Sequence, residues 1–186
     1  MTKYILHGGN TRVPSPDNES FFREMTLGIK GKALVLLNYF SREEKEFPEL
    51  FEQDKKRILE YSESKDLEFE IAKEDVFEEQ LKRAKVMYMR GGKTKKLLEK
   101  MKKLDSPEEL FAGKIIVGSS AGAYVLSKYY WKHEEGEIGQ GLGILNLKVY
   151  CHYHPEDLSV LGKMTQFEKD IPLLVLPEGK WQIFYK

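Results

Sequence analysis

The sequence predicts an α/β fold in three layers, with a mostly parallel central sheet covered by helices on both faces. Short segments of strand composition alternate along the chain with longer, charged segments of helical periodicity, an order typical of parallel sheets. Two of the strands, ALVLL from Ala33 and KIIVG from Lys114, are almost continuously apolar. Strands buried on both faces have this composition, so we expect both in the interior of the sheet.

The elements follow in a regular order. The strand KYILHGG precedes a helix at about 17–30, the strand ALVLLNYF and an amphipathic segment at about 42–62. Next come the strand LEFEIA, the helix EDVFEEQLKRA, the strand KVMYMRGG and the helix TKKLLEKMKK. The strand KIIVG then continues into a helix. A Gly-rich connection, HEEGEIGQGLG, leads to the strand LKVYCHYH, a helix at about 155–169 and the strand PLLVLPEG.

Length and composition limit the possible classes of protein. The chain has 186 residues and neither internal repeats nor a linker-like tract, so we predict a single domain over residues 1–186. Lys and Arg total 30, as do Asp and Glu, and no overall field would attract nucleic acid. Cys151 is the only cysteine, and no apolar run is long enough for a signal peptide or a membrane span. We therefore expect a cytoplasmic protein that binds neither membranes nor nucleic acid.

Chemically suggestive residues follow five strands of the predicted sheet. In parallel sheets, functional groups gather at the carboxyl ends of the strands. The five groups are His7-Gly8-Gly9, Arg90-Gly91-Gly92, Ser119-Ser120, His152 to His154 and Glu178-Gly179.

The segment Gly118-Ser119-Ser120-Ala121-Gly122 fits the pattern G-x-S-x-G between a strand and a helix. In that context the pattern forms a nucleophile elbow, and its register selects Ser120. The first amides of the following helix, starting with Ala121, would face a developing oxyanion. The alternative is a serine that only caps the helix.

A serine nucleophile needs a base, and the chain has four histidines: His7, His133, His152 and His154. We expect His133 to be solvated in its charged surroundings. His7 either lines the site or is a packed or turn residue beside its two glycines. His152 and His154 would point to the same side of one strand. That arrangement leaves a metal site open as an alternative, with Glu156 and Asp157 nearby, although no spacing marks a third ligand.

Four segments together resemble peptidase family S51, the aspartyl dipeptidase (peptidase E) and cyanophycinase group. They are MRGGKTKKLLEKM from Met89, GSSAGA from Gly118, GLGILNLKVYCHYH from Gly141 and LPEGKW from Leu176. They occur in the family's order over most of the chain. The resemblance implies a flavodoxin-like fold similar to the class I glutamine amidotransferases.

The same resemblance implies a catalytic triad. Ser120 would be the nucleophile and His152 the base, with His154 outside the triad. Gly91 or Gly92 would pair with Ala121 as oxyanion donors. For the third member we favour Glu178, at a strand end, over Glu134 or Glu135, because a strand end holds an imidazole more rigidly than a Gly-rich loop.

The predicted function is a serine peptidase that cleaves small peptides, including dipeptides with N-terminal aspartate, without a cofactor or metal. Family members bind the acidic side chain of the substrate through basic groups, and Arg90 and Lys93 are the candidates here. They lie in RGGKT, where relatives often have GGGNT. The alternative function is a non-catalytic or regulatory binding module with the same fold. The charged helix face at about 42–62 is either solvated or the surface of a homodimer.

Overall fold

The computed structural model describes residues 1–64 and 66–186, and this part of the chain forms an α/β fold with a central six-stranded sheet. Its strand order is β10-β1-β5-β4-β2-β3. The strands are β1 (Lys3–His7), β2 (Ala33–Asn38), β3 (Leu67–Ile71), β4 (Val86–Met89), β5 (Ile115–Ser119) and β10 (Trp181–Tyr185). All neighbours pair in parallel except β10, which runs antiparallel to β1. The predicted mostly parallel sheet is therefore confirmed.

Alternate residues of the central strands enter two separate cores, as the period of a strand requires. In β2, Leu34 and Leu36 join one core, whereas Val35 and Leu37 join the other. The second core contains Phe21 and other apolar side chains of the first two helices. Strands β2 and β5, which were expected to be buried on both faces in the interior of the sheet, are buried there along their whole length.

Helices cover both faces of this sheet. They are α1 (Pro16–Glu24), α2 (Phe47–Tyr61), α3 (Phe77–Arg83), α4 (Thr94–Met101), α5 (Pro107–Phe111) and α6 (Ala121–Leu126). A further helix, α7 (Leu158–Gln166), lies away from this sheet, and its Met164 packs against Trp131 and Tyr150. Side chains of α1 and α2 fill one core, and those of α3 to α6 contribute to the other. None of the helices in the described residues is both long and apolar enough to cross a membrane.

A second sheet, which the sequence did not predict, packs against the core on the α6 side. It consists of β6 (Ser127–Lys132), β7 (Glu137–Gln140), β8 (Leu145–Cys151) and β9 (Leu173–Leu176), in the order β7-β6-β8-β9. The Gly-rich segment expected to be a loop thus contributes β7, which pairs antiparallel with β6. Because α6 ends at Leu126, the residues SKYYWK are free to form β6.

Other element boundaries also differ from the prediction. The helix expected at 155–169 is limited to α7. Strand β8 ends at Cys151, and His152 follows with φ +55°. A left-handed residue breaks the alternation of a strand, so the expectation that His152 and His154 extend from one strand on the same side is wrong.

Candidate active site

Ser120 lies in a strained turn between β5 and α6. Its backbone has φ +49° and ψ −103°, a combination that non-glycine residues rarely adopt. At this turn β5 and α6 approach each other so closely that a side chain at Gly118 would not fit. A Cβ at Gly118 would overlap the backbone of Gly122. The two glycines of the G-x-S-x-G pattern therefore allow the sharp turn that exposes the Ser120 hydroxyl.

Ser120, His152 and Glu178 form a hydrogen-bonded chain. Ser120 Oγ lies 2.8 Å from His152 Nε2, and His152 Nδ1 lies 2.9 Å from Glu178 Oε1. An ionised carboxylate only accepts hydrogen bonds. The geometry therefore assigns the imidazole proton to Nδ1 and leaves Nε2 to accept the proton of the serine hydroxyl.

The carboxylate of Glu178 is stabilised in its charged form. The hydrogen bond from His152 is the main reason that the pKa of Glu178 lies below its usual value. Partial burial opposes this shift, and a hydrogen bond from Asn10 adds to it. Glu134 and Glu135, the alternative candidates, are exposed in the turn between β6 and β7, and within the described part of the chain neither contacts His152.

The turn after β1 forms backbone hydrogen bonds with the segments that carry Ser120, His152 and Glu178. The carbonyls of His7, Gly8 and Gly9 accept hydrogen bonds from the amides of Ser120 (2.9 Å), His152 (3.1 Å) and Gly179 (3.0 Å), respectively. A Cβ at Gly9, where φ is +110°, would overlap the His152 imidazole. Three consecutive residues of one turn therefore set the relative positions of the Ser120 hydroxyl, the His152 imidazole and the Glu178 carboxylate.

The side chain of His7 is buried below this turn and does not line the site. Its Nε2 lies 2.8 Å from Asn18 Oδ1, and its Nδ1 accepts a hydrogen bond from Gly9 N. Burial is the main reason that the pKa of His7 is lowered from 6.5 to about 4. His7 is thus neutral at pH 7, with Nε2 protonated.

The remaining histidines lie outside the chain of hydrogen bonds. His133 is exposed as expected, although its Nε2 is within 3.0 Å of Tyr124 Oη and 3.2 Å of Cys151 O. His154 is also exposed, and its amide donates to Asp157. Among residues 1–64 and 66–186, no cluster of three His, Cys, Asp or Glu side chains has a metal-binding arrangement.

The expected oxyanion donors lie beside Ser120. A Cβ added at Gly91 would stand 3.1 Å from Ser120 Cβ, so this turn contacts the elbow directly. In the described residues, the amides of Gly91 and Ala121 have no hydrogen-bond acceptor. Gly92 lies farther out, against Ser41 and Arg42.

An open cavity of about 330 Å³ leads to Ser120 and His152, and three arginines line it. Arg90 is buried and forms an ion pair with Asp54 of α2, so its charge is already compensated. Arg42 is partly buried, and its Nε donates to Gly91 O. Arg12 is exposed and, within the described chain, has no side-chain partner.

The second basic candidate, Lys93, does not line this cavity. Its side chain is 77% exposed and lies 3.7 Å from Glu43. A larger surface depression of about 470 Å³, around Glu78 and Lys114, lies elsewhere and contains no histidine.

Four residues at or near the site were not identified from the sequence. Asn10 and Arg12 follow Gly8-Gly9 at the end of β1, and Arg42 lies in the turn after β2. Their positions at strand ends could have identified them. Asp54 is one of many charged residues in an amphipathic helix, so nothing in the sequence marks it.

The chain is similar to known proteins over almost its whole length. The model of peptidase family S51 matches residues 7–185. A search of curated proteins found no match. A crystal structure of a peptidase from an acI-B1 actinobacterium is similar, with TM-score 0.70 and 19% identity, and the match covers 99% of this chain and 83% of that one. A putative peptidase E protein from Listeria monocytogenes EGD-e gives TM-score 0.69 and 17% identity, with 100% and 98% covered.

Proposed function

The chain belongs to peptidase family S51, and on that basis we propose that it is a serine peptidase with the triad Ser120, His152 and Glu178. The observation that carries the proposal is the continuous chain of hydrogen bonds from Ser120 Oγ through the imidazole to the Glu178 carboxylate. The three hydrogen-bonded side chains correspond to the nucleophile, base and orienting acid of a serine hydrolase.

The proposed reaction proceeds through an acyl-enzyme. His152 Nε2 takes the proton of Ser120 as Oγ attacks the carbonyl carbon of the peptide bond. Glu178 stabilises the imidazolium that forms, and the amides of Gly91 and Ala121 donate to the oxyanion. His152 then protonates the leaving amine, and a water molecule, deprotonated by the same imidazole, releases the acyl group.

The cavity supports a preference for substrates with an acidic side chain. Arg12 and Arg42 replace Arg90 and Lys93 as the proposed binding groups, because Arg90 is paired with Asp54 and Lys93 lies outside the cavity. Of the two, Arg12 has the freer guanidinium. A carboxylate that binds there forms a charge-assisted hydrogen bond. Dipeptides with N-terminal aspartate are the proposed substrates.

The proposed triad is tested by substitution. We expect Ser120→Ala and His152→Ala each to lower kcat/KM by about 10³-fold or more, measured on a panel of small peptides. His154→Ala is the matched control and should retain activity, since within the described part of the chain His154 makes no hydrogen bond to a triad residue. A fluorophosphonate probe should label Ser120 in the unmodified protein. An unlabelled Ser120 together with inactivity on every peptide would favour the non-catalytic module, and activity lost to a chelator and restored by zinc would favour a metal enzyme.

The proposed specificity is tested with a matched substrate pair. A dipeptide with N-terminal aspartate should have a kcat/KM about tenfold or more above that of its asparagine counterpart, since a charged acceptor strengthens one contact by roughly 1.5 kcal/mol. Arg12→Ala should remove most of this preference, whereas Lys93→Ala should preserve it. Equal rates for the two peptides in the unmodified enzyme would overturn the specificity while leaving the triad intact.

A further inference from the structure

Asn10 contacts the carboxylate of Glu178 on the side opposite to His152. Asn10 Nδ2 donates to Glu178 Oε2 over 2.9 Å, while His152 Nδ1 donates to Oε1 over the same distance. The two oxygens of one carboxylate are therefore bound by two different donors, and the plane of the carboxylate is fixed relative to the imidazole.

Glu178 needs such a second contact because its own element does not hold it rigidly. It lies beyond the end of β9, and its side chain is 40% exposed. An exposed glutamate has several accessible rotamers, and holding one of them costs conformational entropy. A single hydrogen bond to the imidazole would leave the carboxylate free to rotate about that contact.

The backbone of Asn10 is itself held by a hydrogen bond from the buried Asn18. Its carbonyl accepts a hydrogen bond from Asn18 Nδ2, whose second acceptor is Val13 O. Asn18 is 2% exposed, and its Oδ1 accepts from His7, which in turn accepts from Gly9 N. The turn that binds the backbones of the three triad segments thus also carries the donor for the Glu178 side chain.

Asparagine suits this position for two physical reasons. Asn10 has φ +61°, and asparagine tolerates the left-handed region better than most residues. Its amide is also a neutral donor. An aspartate would fit the same backbone, but its carboxylate would repel Glu178.

We propose that Asn10 is a positioning residue, which orients the Glu178 carboxylate toward His152. This inference rests on the proposed triad and extends it by one residue. Asn10 acts through Glu178 and transfers no proton itself.

Four other ionisable groups of the described chain lie near Asn10 and Glu178 or near His152: His7, His133, His154 and Lys180. After the hydrogen bonds from His152 and Asn10, His154 is a minor cause of the lowered pKa of Glu178. The His133 ring lies 6.0 Å from the His152 ring. His7 lies below the turn, and the charge of His152 is a smaller cause of its lowered pKa, after burial. Lys180, next to Gly179, is paired with Asp17 at 2.7 Å. None of these groups donates to Glu178 Oε2, so Asn10 substitutions change a contact that they do not share.

The experiment compares Asn10→Gly with Asn10→Asp. Glycine accepts the positive φ and removes only the donor, whereas aspartate keeps the shape and adds a charge. The rate of Ser120 labelling by a fluorophosphonate is measured against pH, because this rate does not depend on knowing the substrate. We expect Asn10→Gly to slow labelling about tenfold, and Asn10→Asp more strongly. Both should move the acid limb of the profile to higher pH, since Glu178 loses a donor or gains a like charge.

Two further measurements separate positioning from a loss of folding. Val13→Ala alters the same exposed loop without touching Glu178, and it should leave labelling and its pH profile unchanged. The proton on His152 Nδ1, followed by NMR, should exchange faster in Asn10→Gly than in the unmodified protein. Both Asn10 variants should retain the circular dichroism spectrum of the unmodified protein.

The outcomes distinguish this inference from the proposed function. If the unmodified protein labels at Ser120 and Asn10→Gly labels at the same rate with the same pH profile, the role of Asn10 is overturned and the triad stands. A failure of the unmodified protein to label overturns the nucleophile. In that case unchanged exchange of the Nδ1 proton in Asn10→Gly overturns the positioning role as well, and faster exchange supports it.

Discussion

At the scale of single residues, the turn after β1 contacts every segment of the candidate triad. The carbonyls of His7, Gly8 and Gly9 each accept a hydrogen bond from a different segment of the candidate triad. Residue 9 is a glycine because a Cβ there would overlap the His152 imidazole. The conformation of this turn depends on the neutral imidazole of His7, which bonds Asn18 on one side and Gly9 N on the other.

The titration of His7 predicts a pH dependence of stability. Its pKa is lowered from 6.5 to about 4 in the folded protein, mainly by burial. Between these two values the unfolded chain binds a proton that the folded chain does not, so stability falls as pH decreases from 6.5 toward 4. The contribution is about 3 kcal/mol.

Urea unfolding at several pH values measures this effect. His7→Gln keeps a donor for Asn18 and removes the titration, so its stability should change less than that of the unmodified protein between pH 7 and 4. Parallel curves for the two proteins would contradict the assigned pKa. Carboxylates that titrate in the same range affect both proteins equally and cancel in the comparison.

At the scale of elements, α2 and the turn after β4 are joined by a buried ion pair. Asp54 of α2 pairs with Arg90 and also accepts a hydrogen bond from Tyr39 Oη at 3.0 Å. Arg90 directly precedes Gly91, which lies against Ser120. The ion pair with Asp54 therefore holds Arg90, and with it the turn that contains Gly91, in place beside Ser120.

Removal of one partner should destabilise the protein strongly. Asp54→Ala leaves a buried guanidinium unpaired and should lower the free energy of unfolding by about 3 to 5 kcal/mol. The double variant Asp54→Leu, Arg90→Met removes both charges and should recover much of that loss. Glu68→Ala, which breaks the exposed pair with Lys32, is the control and should change stability little. An Asp54→Ala variant as stable as this control would refute the importance of the ion pair.

At the scale of the whole molecule, one core connects the two sheets. It includes Tyr4 and Leu36 of the central sheet together with Val149 and Leu176 of the second sheet. The candidate site lies where the two sheets meet, because His152 follows β8 and Ser120 follows β5. A shared core predicts that the sheets unfold together, as expected for a single domain.

The two tryptophans test this cooperativity. Trp131 lies in β6 of the second sheet, and Trp181 in β10 of the central sheet. In Trp131→Phe and Trp181→Phe, the fluorescence of the remaining tryptophan reports one sheet at a time. The two urea midpoints should each coincide with the midpoint that circular dichroism gives for the same variant. A fluorescence transition that clearly precedes the circular dichroism transition in one variant would mean that its reported sheet unfolds separately.

The sequence by itself determined the class of fold and most of the elements before residue 126. Continuous apolar strands and amphipathic helices report burial directly, so β2 and β5 could be recognised from composition alone. The G-x-S-x-G pattern also selected the register of Ser120. Its two glycines are required because a Cβ at Gly118 would overlap the backbone of α6, and a Cβ at Gly122 would overlap Met89 of β4. His152 and Glu178 were selected from their positions after strands together with the resemblance to a family.

Only the tertiary structure decided which polar groups are already paired. His7 ends β1 and Arg90 directly follows β4. Their partners, Asn18 and Asp54, lie on helices with no sequence signal for these contacts. The second sheet was missed because SKYYWK becomes a strand by pairing with EIGQ on one side and with β8 on the other. Pairing between distant segments depends on where the chain folds back, and local composition does not contain that information.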